Sequence, residues 1–107
     1  MAVISASVAL TKSANTTVYG PVPAGKCATV NINVVGRNTS SSKIRVAISK
    51  AEAPTEATDF IEYDWPVMAS SPPLLRTGEV LKAGEYVVIY TDGDLCTARV
   101  SGFEEVE

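Results

Sequence analysis

The stretch of residues 81–90 (LKAGEYVVIY) constrains the fold of this chain more than any other. Gly84 is free to take a positive φ, and every residue from Tyr86 to Tyr90 is β-branched or aromatic. This combination predicts a turn followed by a β-strand. Side chains alternate between the two faces of a strand, and neither the face of Val87 and Ile89 nor the opposite one suits water. We therefore predict a central strand that is covered on both faces.

Short segments of alternating polarity recur on both sides of this strand. In the clearest, residues 27–35, Val30, Ile32 and Val34 are expected to face the core. Further extended segments are predicted at residues 2–10, 16–19, 43–49, 60–65, 74–81 and 95–103. The sequence thus predicts an all-β fold, a single antiparallel β-sandwich of about seven to eight strands over residues 1–107. Immunoglobulin-like and jelly-roll-like topologies share this pattern, and both stay open.

The pattern also predicts local features of the sandwich. Residues 1–15 contain an edge strand with small outward side chains, which could add to or exchange with the sheet of another subunit. Polar loops at residues 36–42 and 92–94 predict two β-hairpins, each joining the strands on its two sides. Pro66 is expected to end the strand of residues 60–65, the acidic tail of residues 104–107 is expected to be free, and residues 50–59 have weak helical character.

Charge and hydropathy exclude several classes of partner. A net charge of −3 without any basic run opposes nucleic-acid binding, which requires a basic face to neutralise phosphates. No stretch approaches the roughly 20 apolar residues of a membrane span, and the chain begins without the charged segment of a signal peptide. We therefore expect no nucleic-acid or membrane partner and a protein that is made and kept in a cytosol.

The reactive side chains offer little chemistry. The chain has no histidine, which excludes Ser-His-Asp and Cys-His catalysis. Its two cysteines, Cys27 and Cys96, lack the spacing of a zinc site, and no glycine-rich phosphate loop is present. The strand alternation puts the two cysteines on different faces, which predicts free thiols rather than a disulfide. We expect no metal and no cofactor.

Two carboxylate pairs are candidates for a site. Glu62 and Asp64 share a predicted strand face and could flank a glycosidic bond, although same-face carboxylates on one strand usually form a solvated edge. Asp92 and Asp94 could offer oxygens to calcium, but two carboxylates fall short of its usual coordination sphere. We therefore predict that the protein is not an enzyme.

Three aromatic residues are candidates for an interface, namely Phe60, Tyr63 and Trp65. Alternation puts Tyr63 and Trp65 on one strand face and Phe60 on the other, and core packing is the ordinary role for two of the three. Trp65 precedes Pro66 and a Ser-Pro-rich loop, so we predict that it lies partly at the surface. An exposed aromatic ring supplies contact area at low entropic cost.

Several stretches of the chain resemble a recurring small structural protein of tailed bacteriophages. They are residues 22–33, 43–49, 60–64, 75–78 and 81–90, and the resemblance extends over residues 19–105. It implies a non-enzymatic β-sandwich module of the virion, made in the host cytoplasm and attached to the capsid, neck or tail. Its partners would be other virion proteins, such as the major capsid, neck or tail protein, and further copies of itself.

The leading functional hypothesis is therefore a homo-oligomeric capsid decoration or cement protein, or a neck or tail accessory protein. Symmetry on a particle multiplies weak contacts into avidity, which suits a small domain without catalytic residues. The alternative hypothesis is a carbohydrate-binding or host-receptor-binding module of a tail fibre, with Tyr63 and Trp65 as a stacking surface. An enzyme that uses Glu62 and Asp64 is the third.

Overall fold

Eight strands and one turn of 3₁₀ helix make up the structure, a computed structural model that describes residues 2–55 and 57–107. The strands are β1 (Ala2–Ala9), β2 (Ala14–Tyr19), β3 (Lys26–Gly36), β4 (Ser42–Ser49), β5 (Phe60–Val67), β6 (Leu74–Leu81), β7 (Tyr86–Thr91) and β8 (Cys96–Val106). The 3₁₀ turn, Ala57–Asp59, immediately precedes β5. The predicted all-β class is confirmed.

The strands form two antiparallel sheets of four strands each. Sheet A has the order β1-β8-β3-β6 and sheet B the order β2-β7-β4-β5. Strand β1 pairs with β8, β2 with β7, β3 with β6 and β4 with β5. The chain is thus one long antiparallel hairpin, turned at the β4–β5 connection and wound around a common core. Of the two topologies left open by the sequence, this strand order is that of a jelly roll.

The core lies between the two sheets and is built from the inward faces of the strands. In β3, Val30, Ile32 and Val34 are almost completely buried while Thr29 and Asn31 are exposed, as the alternation predicts. Burying a side chain of this size contributes about 1.5–3 kcal/mol. The same core includes the buried Cys96, whereas Cys27 is only half-buried, and both thiols are free as predicted.

Strand β7 is an interior strand of sheet B, in agreement with the sequence. Val87 and Ile89 lie in the core. Val88 is also buried, although it lies on the outward face, between Thr17 of β2 and Ala47 of β4. The inner face of this strand is therefore covered as predicted, whereas on the outer face Val88 is buried and Tyr86 and Tyr90 are half-buried.

The two hairpins predicted from the polar loops are wrong. Strands β3 and β4 lie in different sheets, as do β7 and β8, so residues 37–41 and 92–95 are arches that cross from one sheet to the other. The two strands beside each arch bury their inward apolar faces against each other across the core. The arches are joined where the Arg37 amide donates to the Leu95 carbonyl at 2.9 Å and the Lys43 amide to Asp92 Oδ1 at 2.7 Å.

Two other local expectations are corrected by the structure, and a third is met over three residues only. Strand β5 continues through Pro66 to Val67, because an edge strand tolerates a residue without an amide proton. The acidic tail is not free, since β8 extends to Val106 and Glu104 pairs with Ala2 on β1. Within the described part of residues 50–59, the helical character is limited to the 3₁₀ turn, and Glu56 lies outside the described residues.

A tyrosine links the two layers at one edge of the sandwich. The hydroxyl of Tyr19, on β2 of sheet B, donates to the carboxylate of Glu104, on β8 of sheet A. Burial raises the pKa of Tyr19 well above its usual value, and the hydrogen bond and negative charge of Glu104 raise it further. An unfolded tyrosine has a pKa of about 10. The neutral hydroxyl therefore stabilises the fold below that pH, and its contribution falls as the pH rises above it.

Replacing Tyr19 with phenylalanine is expected to lower the free energy of unfolding by about 1 kcal/mol at pH 7, because one hydrogen bond is lost. The variant should also lose less stability than the parent when the pH rises above 10. Urea denaturation at pH 7 and at pH above 10 measures both effects, with Tyr63→Phe as the control at an exposed tyrosine. An unchanged decline above pH 10 in Tyr19→Phe would contradict this assignment.

Candidate functional site

Strand β5 carries all three aromatic residues that the sequence singles out, and it is an edge strand paired with β4. Its register with β4 shifts on both sides of Val46, and Asp64 has a φ of 58°. Such bulges add residues to one strand and interrupt its two-residue alternation. The face on which each aromatic ring lies therefore cannot be obtained by counting along β5.

The structure groups the aromatic residues differently from the prediction. Trp65 lies opposite Ile44, a core residue, and so is on the inner side of sheet B at the open edge of the sandwich. Phe60 lies opposite Ala47 on the outer side, where Tyr63 joins it. The predicted sharing of a face by Tyr63 and Trp65 is thus wrong. Trp65 is 46% exposed, in agreement with its predicted position partly at the surface.

Arg45 of β4 organises the outer side around Tyr63. Its guanidinium carbon lies 4.2 Å from the ring centre of Tyr63 and 5.1 Å from that of Tyr90, within the range of cation–π attraction. Its Nε donates to Asp64 Oδ1 at 2.7 Å. Phe60 meets Tyr63 edge to face, with ring centres 5.2 Å apart and planes at 89°. We call these five residues the outer-face cluster.

The charges of the outer-face cluster are balanced within it. The hydrogen bond from Arg45 lowers the pKa of Asp64 below its usual value, and the same bond raises the pKa of Arg45. Tyr63 remains 59% exposed although Arg45 and Phe60 hold its ring. A positioned and exposed aromatic ring loses little entropy on contact with a partner. The cluster is therefore suited to binding rather than to proton transfer or nucleophilic attack.

Glu62 and Asp64, the carboxylates that could flank a glycosidic bond, do not share a strand face as predicted. Glu62 lies opposite the core residue Val46 and accepts a hydrogen bond from Arg76 Nη1 at 2.9 Å. Asp64 is bound to Arg45 on the outer side. Each carboxylate is thus paired with its own arginine on its own side of the sheet. The Arg76–Glu62 ion pair connects the edge strands β5 and β6, and within β6 Arg76 also binds Glu79 at 2.8 Å.

The turn that contains Asp92 and Asp94, the candidate calcium site, has a structural role in the β7–β8 arch. Asp92 accepts the Lys43 amide, and Gly93 donates its amide to Thr91 Oγ1 at 3.2 Å. In residues 2–55 and 57–107, no group of three or more cysteine or carboxylate side chains is placed to hold a metal ion. The described residues also include no helix long and apolar enough to cross a membrane.

A second exposed surface lies on the outer face of sheet A and was not identified from the sequence. Val3 of β1 pairs with Phe103 of β8, Phe103 pairs with Thr29 of β3, and Thr29 pairs with Val80 of β6. These four residues, the sheet A row, cross the whole sheet, and its three apolar members are exposed. The signal in the sequence was an apolar residue at an outward position of β1, β6 and β8. Only the register shows that these residues are neighbours.

The surroundings of the sheet A row are polar and small. Arg99 of β8 donates to Ser5 and Ser7 of β1, at 3.1 Å in each case. Asn31 and Asn33 of β3 lie beside it and line a shallow groove. The row is therefore an apolar strip beside polar residues, and Leu75 of β6 adds a separate exposed apolar residue at the groove.

Comparisons with protein-family models, with curated proteins and with solved structures find no match for the chain.

Proposed function

We propose that the protein is a non-enzymatic structural component of a tailed-bacteriophage virion, which decorates the capsid or belongs to the neck or tail. In this role it self-associates and binds other virion proteins. The observation that carries the proposal is the presence of two separate exposed surfaces, one aromatic and one apolar, on the two layers of one sandwich. They are the outer-face cluster on sheet B and the sheet A row. A module with contact surfaces on both layers is able to lie between two neighbours in an assembly.

Two further features support this proposal. The resemblance of the sequence to phage structural proteins covers most of the sandwich, including β3, β4 and β7. The jelly roll is also an architecture of viral capsid domains, although it serves lectins as well and a fold alone does not give a function. The narrow extent of both surfaces suits contacts that are weak singly and become strong through repetition on a particle.

The test is to identify the protein in purified particles of the phage that encodes it. Mass spectrometry of particles purified by density gradient should find the chain in many copies, and cryo-electron microscopy should then place it on the capsid, neck or tail. Absence of the chain from intact particles would contradict the proposal.

The contribution of the outer-face cluster is tested by adding purified variants to particles that lack the protein. We expect Tyr63→Ala to weaken attachment by about tenfold or more, because central aromatic residues dominate interface energies. Val106→Ala is the matched control at another exposed residue. Equal attachment of both variants, with unchanged thermal stability, would exclude Tyr63 from the interface.

A glycan-binding tail-fibre module is the second candidate function. Tyr63 and Trp65 lie on different sides of sheet B, so the aromatic pair expected for sugar stacking is not assembled. The observation in its favour is the groove on sheet A, where Asn31, Asn33 and Arg99 offer hydrogen-bonding groups. Binding to a glycan array that is lost in Asn33→Ala would support this candidate, and the absence of any glycan binding would remove it.

A further inference from the structure

Strand β1 differs from the other three edges of the sandwich. The edge strands are β1 and β6 in sheet A and β2 and β5 in sheet B. An edge strand exposes a row of backbone donors and acceptors, and proteins usually block it with bulges, prolines, charges or a short length. An edge that lacks these features is therefore the one at which another strand can be added.

Strands β2, β5 and β6 each carry such protection. Strand β2 has six residues, contains a register shift and is followed by Gly20–Pro21. Strand β5 contains Pro66 and two register shifts. Strand β6 has a register shift opposite residues 30–32, and its charged residues Arg76 and Glu79 are paired with each other. A regular antiparallel strand cannot continue along any of these three edges.

Strand β1 carries no such protection along its whole described length, Ala2–Ala9. Its sequence, AVISASVA, has no proline, glycine or charged residue. It pairs with β8 in one unbroken register from Ala2 opposite Glu104 to Ala9 opposite Thr97. Its outward side chains are small or exposed, including Val3 at 76% exposure. A neighbouring backbone can therefore approach the free side of β1 closely.

We infer that β1 pairs antiparallel with β1 of a second copy of this chain across a two-fold axis, which joins the two A sheets into one sheet of eight strands. The second copy is the occupant because β1 is the one edge, among the described strands, that suits regular pairing. Addition of β1 to β6 would make an open chain of subunits, whereas addition of β1 to itself closes after two copies.

The two faces of β1 restrict the register of this pairing. Residues directly opposite each other in a sheet share a face, so outward residues of one copy must face outward residues of the other. Pairing centred on Ala6 meets this condition. It places Ile4 opposite Val8 of the second copy, which extends the apolar core across the axis, and Ser5 opposite Ser7 of the second copy. Val3 would lie opposite Ala9 of the second copy, so the sheet A row would end at the junction between the two sheets.

This dimer deepens the self-association included in the proposed function, but it is tested on the isolated protein. Sedimentation equilibrium over a concentration series should show a reversible dimer, and amide hydrogen exchange should be slower in β1 at high than at low concentration. Val3→Lys puts on β1 of each copy a lysine, the residue that natural edge strands carry against further pairing, and is expected to weaken the dimer by about tenfold or more. Val106→Lys is the matched control, because Val106 is 81% exposed and lies beyond the β1 pairing.

A protein that stays monomeric at all concentrations, or a dimer whose added protection lies in β5 or β6, would overturn this inference. Equal weakening by Val3→Lys and Val106→Lys would do the same. A monomeric protein that is nevertheless found in purified particles would contradict the β1 dimer alone and leave the proposed function intact.

Discussion

The Gly102→Ala variant is expected to lose more than about 4 kcal/mol of folding stability and to be largely unfolded if the parent is only marginally stable. Gly102 lies in β8, between Ile4 of β1 and Val30 of β3. A Cβ atom at this position would lie 2.0 Å from the carbonyl oxygen of Thr29 and 2.9 Å from the Cα of Val30. Both contacts are with backbone, so no side-chain rotation relieves them, and β3 would have to move away from β8.

Gly78→Ala is the matched control for this substitution. Gly78 has a φ of +70° but no heavy atom within 4 Å of an added Cβ, so only the backbone strain of about 1–2 kcal/mol applies. Urea denaturation followed by circular dichroism measures both variants. A Gly102→Ala protein as stable as Gly78→Ala would show that β3 and β8 are not packed as closely as described.

The Ile89→Ala variant is expected to lose about 2–5 kcal/mol of folding stability. Ile89 is fully buried on β7, with Thr16 of β2 and Val46 of β4 on its two sides in sheet B. Truncation removes apolar contact area and leaves a cavity that the neighbouring strands cannot fill without distorting both pairings. The free energy of unfolding, obtained from urea titration, measures the loss.

Leu75→Ala serves as the control for Ile89→Ala because it removes a similar volume from an exposed position on β6. Its expected effect is within about 0.5 kcal/mol. If both variants lost the same stability, the inward orientation of Ile89 and the outward orientation of Leu75 would be wrong.

The positions of the strands and the orientation of most of their side chains could be obtained from the sequence. Both are local properties, since a two-residue alternation between turn residues is enough to define an amphipathic strand. Val30 and Ile32 in β3, and Val87 and Ile89 in β7, face the core as their alternation predicts. The two-residue alternation gives the wrong faces in β5, because two bulges in the pairing with β4 bring Phe60 and Tyr63 to the same side.

The pairing of the strands was decided only in the tertiary structure. A polar loop between two amphipathic strands is compatible with a hairpin and with an arch, and the choice depends on which distant strand covers each apolar face. For this reason the sequence predicted hairpins at residues 36–42 and 92–94, where the jelly roll has arches. The two exposed surfaces also depend on the pairing of distant strands. Arg45 meets Tyr90, and Val3 meets Phe103, through pairings between strands far apart in the chain, which no local pattern records.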